Sequence, residues 1–124
     1  MDYSKLSDFE INKLIAKHEG VRGFHCENVG GGSPLRFTNW KELDYCNNPA
    51  DAWPVITANG ISLLKCTVGS GYWSAEIITD IDEVTDKIFQ CQSSFDYQDA
   101  NPLRAAMIVF LMMQDSANVQ DNTA

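Results

Sequence analysis

Basic residues are scarce in this chain. Its 124 residues include nine Lys and Arg against seventeen Asp and Glu, for a net charge of −8 and a pI near 4.5. Such a field repels phosphate backbones, which argues against direct nucleic-acid binding. It leaves room for a small anion in a local pocket, or for a basic protein partner.

Histidine is scarcer still, with only His18 and His25 to serve as imidazole bases. His25 adjoins Cys26, but neighbours in a strand point to opposite faces, so adjacency argues against a Cys–His pair. There is no C-x-x-C. Cys26, Cys46, Cys66 and Cys91 are widely spaced and lack zinc-ligand spacing, so free thiols are the expectation in a reducing compartment. No metal or other cofactor is expected. The acidic run of Asp80, Asp82, Glu83 and Asp86 lacks the glycine that a calcium loop requires and reads as a solvated turn. Neither G-x-x-x-x-G-K-[ST] nor G-x-G-x-x-G occurs, so the Gly30-Gly31-Gly32-Ser33-Pro34 segment reads as a mobile loop rather than a phosphate cradle. The N-terminus has no basic-then-apolar leader, and no apolar run approaches the ~20 residues that cross a bilayer. The expectation is a cytoplasmic protein without a membrane partner.

What the chain does have is a strong apolar run at 101–114, Asn-Pro-Leu-Arg-Ala-Ala-Met-Ile-Val-Phe-Leu-Met-Met-Gln. Asn101 suits an N-cap and Pro102 the first helical position. Nothing from Ala105 to Met113 is polar, and a helix apolar all round is a buried one. The rest of the chain is expected to cover it. A hydrophobic content of 44%, with three Trp, four Tyr and six Phe, suffices for a real core.

A helix is expected at 7–19, where Ser7 and Glu10 form a capping box, Phe9 and Leu14 face the C-terminal helix, and Gly20 marks the stop. Another is expected at 48–59, opened by Asn48-Pro49 and kinked at Pro54, which loses one helical bond. Residues 21–29 hold a short extended piece through Phe24 and Cys26, and 35–40 and 43–46 are weakly extended. The clearest strands are 61–68 and 72–78, a hairpin about Gly69-Ser70-Gly71 of three-residue type. An acidic connection at 79–86, a third strand through 87–92 and a loop at 93–100 follow. The resulting fold class is α+β. A small antiparallel sheet, the 61–78 hairpin plus one or two more strands, packs with helices near 7–19, 48–59 and 101–114, the C-terminal one most buried. Residues 1–115 form a single domain and 116–124 a polar, frayed tail.

One set of side chains suits a planar or anionic ligand. Tyr45, Asn47, Asn48, Trp53, Tyr72, Trp73 and Arg104 combine flat aromatic faces, amides and one cation near helix starts. The structural alternative makes Trp53 and Trp73 core, the asparagines caps, and Arg104 a partner of Asp99 or Asp51. No catalytic residue can be named.

Four blocks, MDYSKLSDFEINK (1–13), DYCNNPADAWPVI (44–56), YWSAEI (72–77) and NPLRAAMIVFLMMQ (101–114), closely resemble the NinX family of lambdoid bacteriophages. The Asp51-Ala52-Trp53 helix, the hairpin and the closing Pro102-Leu103-Arg104-Ala105-Ala106 helix are also similar to the phage ABA sandwich domain. The resemblance implies an accessory protein encoded in the nin region and acting in the host cytoplasm. It carries over no catalytic residues. With the aromatic–Asn–Arg set, the expected function is a non-enzymatic binder that modulates the host. It would sequester a small nucleotide-like ligand or bind a host defence or DNA-processing protein. The alternatives are an enzyme acting on nucleotides or nucleic acid, and an acidic DNA mimic. Trp40 and Tyr97 would suit a homodimer face.

Overall fold

A computed structural model describes residues 2–28, 30–81 and 91–122. It shows three helices and two small antiparallel sheets, the α+β class expected. After a 3-10 turn at Tyr3–Lys5, helix α1 spans Asp8–His18. Ser7 Oγ accepts from Glu10 N at 3.1 Å, the N-cap half of a capping box, and its hydroxyl donates to the Glu10 carboxylate. Gly20, at φ 74°, takes the left-handed position just beyond the helix end. Phe9, Ile11, Asn12, Ile15 and Ala16 face inward.

The described residues that follow α1, 19–28, form no strand. Phe24 makes an isolated antiparallel bridge to Phe37, and His25 N donates to Arg36 O at 2.9 Å. Strands β1 (Leu35–Arg36) and β2 (Glu42–Leu43) pair in a two-stranded sheet, with Leu35 fully buried. Helix α2 covers Pro49–Ala58. Asn48 caps it by accepting from Ala50 N, and the helix passes through Pro54.

Strands β3 (Ser62–Lys65), β4 (Trp73–Ile81) and β5 (Cys91–Asp99) form an antiparallel sheet in that order. Three corrections arise here. Pairing ends with Cys66 N donating to Tyr72 O, so the Gly69-Ser70-Gly71 tip sits in a five-residue connection, 67–71, and not in a three-residue one. Residues 79–81 belong to β4 rather than to an acidic connection. The stretch 93–99 is strand, not loop, pairing with β4 from Trp73↔Asp99 to Ile81↔Cys91. Residues 82–90, which include the rest of the expected connection and most of the expected third strand, lie outside the described residues. Inward positions follow a period of two. Leu63, Ala75 and Tyr97 stand in one cross-strand row and Ile77 and Phe95 in the next, all packed on the core.

Helix α3 spans Pro102–Asn122, so its backbone stays helical well past the expected end at 114. Asn101 Oδ1 accepts from Leu103 N at 2.9 Å and from Arg104 N at 3.3 Å, a working N-cap. Every side chain from Ala105 to Leu111 is buried. The helix packs against all three strands of the larger sheet and against α1 and α2. Burying such a seven-residue apolar girdle from every side removes the need for a polar stripe, the physical reason this run is so uniformly hydrophobic.

Candidate functional site

Two regions concentrate chemistry. The first joins the N-terminal ends of α1, α2 and α3. Asn12, fully buried, donates to Ser33 O at 2.9 Å and to Asp44 Oδ1 at 2.8 Å, and accepts from Cys46 N at 3.1 Å. Asp44 also accepts from Ser33 Oγ at 2.5 Å, while its own N–H donates to Asp51. Asn47 Nδ2 lies within 3.1 Å of Asp8 Oδ2, and Asn101 Nδ2 reaches Asn47 Oδ1 and Cys46 O.

Arg104 closes this network. Its Nη1 stands 2.7 Å from Asp8, Nη2 donates to Leu6 O and Ser4 O, and Nε lies 3.3 Å from Asp99. Burial alone would lower its pKa, but the Asp8 hydrogen bond and the charges of Asp8 and Asp99 outweigh that and raise it. The Cys46 thiol is pushed up, first by burial and then by Asp8, which holds it as a neutral, unreactive S–H. Buried polar groups of this density fix the mutual orientation of helix ends because each needs its partner.

Of the expected ligand set, the structure brings Asn47 and Arg104 together, through Asp8. Tyr45 is buried beside this network; burial, then the charges of Glu19 and Asp51, push its phenol up to about 12. Asn48 is the α2 cap. Trp53 is 59% exposed and Tyr72 44% exposed, and Trp73 is half-buried with Lys65 Nζ 5.7 Å from its ring centroid. Among the described residues, no hydrogen bond or ring contact joins Trp53, Tyr72 or Trp73 to the network.

The second region was not singled out from the sequence. An open groove of about 550 Å³ runs between α1 and the segment that follows it, with Leu14, Val21 and Phe24 as apolar wall and Lys13, Lys17 and Arg22 as cations. Lys13 is held in place, its Nζ 3.3 Å from Cys26 O and 5.3 Å from the Phe9 ring centroid. Lys17 and Arg22 make no salt bridge among the described residues. Exposed Cys26 sits on the rim.

Beyond the Phe24–Phe37 edge-to-face pair, at 6.3 Å between centroids, lies a second cleft of about 360 Å³. His25, Arg36, Phe37, Trp40 and Lys41 line it. Arg36 is anchored on Gly31 O at 2.8 Å and on Glu42. Trp40 is 93% exposed at the tip of the β1–β2 hairpin, and is the one non-glycine described at positive φ, 68°. His25 and Cys26 therefore face different clefts.

The missed signal was charge asymmetry. Residues 13–41 hold five of the nine basic residues and two of the seventeen acidic ones, a local charge of +3 against −11 for the remainder. Among the described residues no group of three or more His, Cys, Asp or Glu is placed to hold a metal ion, and no helix is long and apolar enough to cross a membrane.

The family model described as Bacteriophage P22, NinX matches residues 2–114. The chain belongs to the NinX family. That match covers α1, both sheets, α2 and the buried part of α3, so the fold described above is the family's matched region. No curated protein and no solved structure matches the chain.

Proposed function

We propose that this NinX-family accessory protein is a non-enzymatic binder that modulates the bacterial host, and that the cationic face of residues 13–41 takes its partner. One observation carries the reading. On a chain of net charge −8, Lys17 and Arg22 stand around an apolar groove of about 550 Å³ without salt-bridge partners among the described residues. Acid is abundant on this molecule, so cations left unpaired over apolar wall favour an anionic occupant supplied from outside. Pockets of this size, mostly apolar with a few polar groups, are the usual form of ligand sites. Arg104, by contrast, spends each guanidinium nitrogen on protein acceptors and orients helices rather than ligands. The occupant is either a small nucleotide-like anion or an acidic surface of a host protein.

Native mass spectrometry of the protein purified from host bacteria, intact and after denaturation, tests the reading. The parent should carry a passenger that Lys17→Glu/Arg22→Glu loses. A passenger kept by that variant but lost with Trp53→Ala would move the site to the α2 face and sink the proposal.

A further inference from the structure

The cationic face is not one pocket but a file of depressions. A shallow hollow of about 220 Å³ between Leu6, Glu10 and Leu14 shares Lys13 and Leu14 with the main groove. The main groove ends at Phe24, and the hairpin cleft begins at Phe37, with which Phe24 pairs edge to face. His25 and Cys26, successive residues, each line one side of the ridge between them. Apolar wall thus recurs three times, at Leu6 and Leu14, at Val21 and Phe24, and at Phe37 and Trp40. Cations stand beside each, Lys13 at the first, Lys17 and Arg22 at the second, and Arg36 and Lys41 at the third.

We infer that this file docks an extended acidic polypeptide segment of a protein partner, whose bulky apolar side chains enter the main groove and the hairpin cleft on either side of the Phe24–Phe37 ridge. The inference rests on the cationic-face reading above and commits it to one occupant. A compact ligand fills one depression and leaves the ridge and second cleft unused. An extended chain matches the alternation of apolar wall and positive charge, carboxylates meeting the cations between buried side chains. A nucleic-acid strand fits less well, because it brings a full charge at every nucleotide to a molecule carrying −8, with Glu10 and Glu42 inside the file. Trp40, almost wholly exposed, is the anchor such a segment would cover, since Trp is enriched among residues that dominate binding energy.

Fluorescence anisotropy of labelled synthetic peptides tests this on the full chain. The probes are Asp/Glu-rich 12-residue peptides bearing two Phe separated by three, five or seven residues, a single-Phe control, AMP and oligothymidylate as competitors. The expected result is that one two-Phe spacing binds at least tenfold tighter than the single-Phe peptide. Trp40→Ala and Lys17→Glu/Arg22→Glu should each remove about tenfold; all three side chains are exposed, so both variants should keep the parent's melting curve. Equal binding of one- and two-Phe peptides, or indifference to Trp40→Ala, overturns the two-cleft inference. Binding of AMP or oligothymidylate without peptide, abolished by Lys17→Glu/Arg22→Glu, overturns it while the cationic-face reading stands. No binding by any anionic probe overturns both.

Discussion

Arg104 Nη1 stands 2.7 Å from Asp8 Oδ1, tying the first turn of α3 to the first turn of α1 across 96 residues of sequence. Asp8 suits its position, because a carboxylate at a helix N-terminus meets the positive end of the macrodipole. Arg104 does not suit its own, and the pairs with Asp8 and Asp99 offset that cost. Side chains only 14% and 30% exposed make this more than a surface pair. Arg104→Ala should therefore lose about 2 kcal/mol of stability, less than the 3–5 of a wholly buried pair. Arg104→Lys, which keeps the charge but not the planar fork, should lose about half as much. Urea midpoints of the two variants and of Asp8→Asn measure this, and additive losses in the Arg104→Ala/Asp8→Asn double variant would refute the coupling.

Asn12 is the other orienting group. Replacing it with Leu strips a partner from the Cys46 N–H, the Ser33 carbonyl and the Asp44 carboxylate at once. A loss of about 3 kcal/mol is expected, since each stranded buried polar group costs about 1–3 kcal/mol before any relaxation. Ile15→Val, on the same buried face, should cost only about 1 kcal/mol. Denaturant unfolding of the two side by side decides it. Similar losses would mean that Asn12 merely fills space.

Much of this was legible in the chain. Asn101-Pro102, Ser7 with Glu10, and Asn48-Pro49 are local signals, each decided within a few residues, and each helix starts where they place it. Strand β5 was misread because Ser93, Ser94, Asp96, Gln98 and Asp99 look like loop by composition. Its period of two survives only in Phe95 and Tyr97, which pack inward while their polar neighbours face out. The site is harder in kind. Arg104 attracts notice in sequence as a cation among aromatics; its pairing with Asp99, five positions away, is one the sequence also offers, but only the fold shows that Asp8, 96 positions away, occupies it as well. The groove was missed for the converse reason. Lys13, Lys17 and Arg22 are ordinary surface residues one by one, and gain meaning only when Val21 and Phe24 fold back beside α1.

Alkaline pH should weaken the fold through Tyr45. Its phenol ionises near 10 in the unfolded chain and near 12 when buried beside Glu19 and Asp51. Below pH 10 both states keep the proton and the contribution is whole. Between about 10 and 12 the unfolded chain ionises first, so stability falls as pH rises. Tyr3, raised by burial and by its bond to Asp115, and the buried Cys46 thiol act in the same direction. Urea midpoints should therefore drop between about pH 8 and about pH 11, and Tyr45→Phe should make the drop shallower. A Tyr45→Phe variant with the parent's full alkaline slope would show that this phenol is not the group responsible.

Trp40 poses stability against function. At φ 68° a bulky aromatic occupies the left-handed region that glycine and asparagine adopt at little cost, and at 93% exposure it returns almost no burial for that strain. Such strain costs about 1–3 kcal/mol and concentrates where function demands it. Trp40→Gly removes the strain but adds chain entropy to the unfolded state, so a net gain of about 0.5–1 kcal/mol is expected. Trp40→Asn, with less added entropy, should gain at least as much. If the aromatic ring is there to be covered by a partner, both variants should melt higher and bind the acidic two-Phe peptides more weakly, the trade expected of a residue kept for binding. Thermal melts and peptide anisotropy on the same samples separate the possibilities. Variants that bind as well as the parent would leave the strained ring without a purpose, and variants that melt lower would mean that Trp40 supports the hairpin rather than straining it.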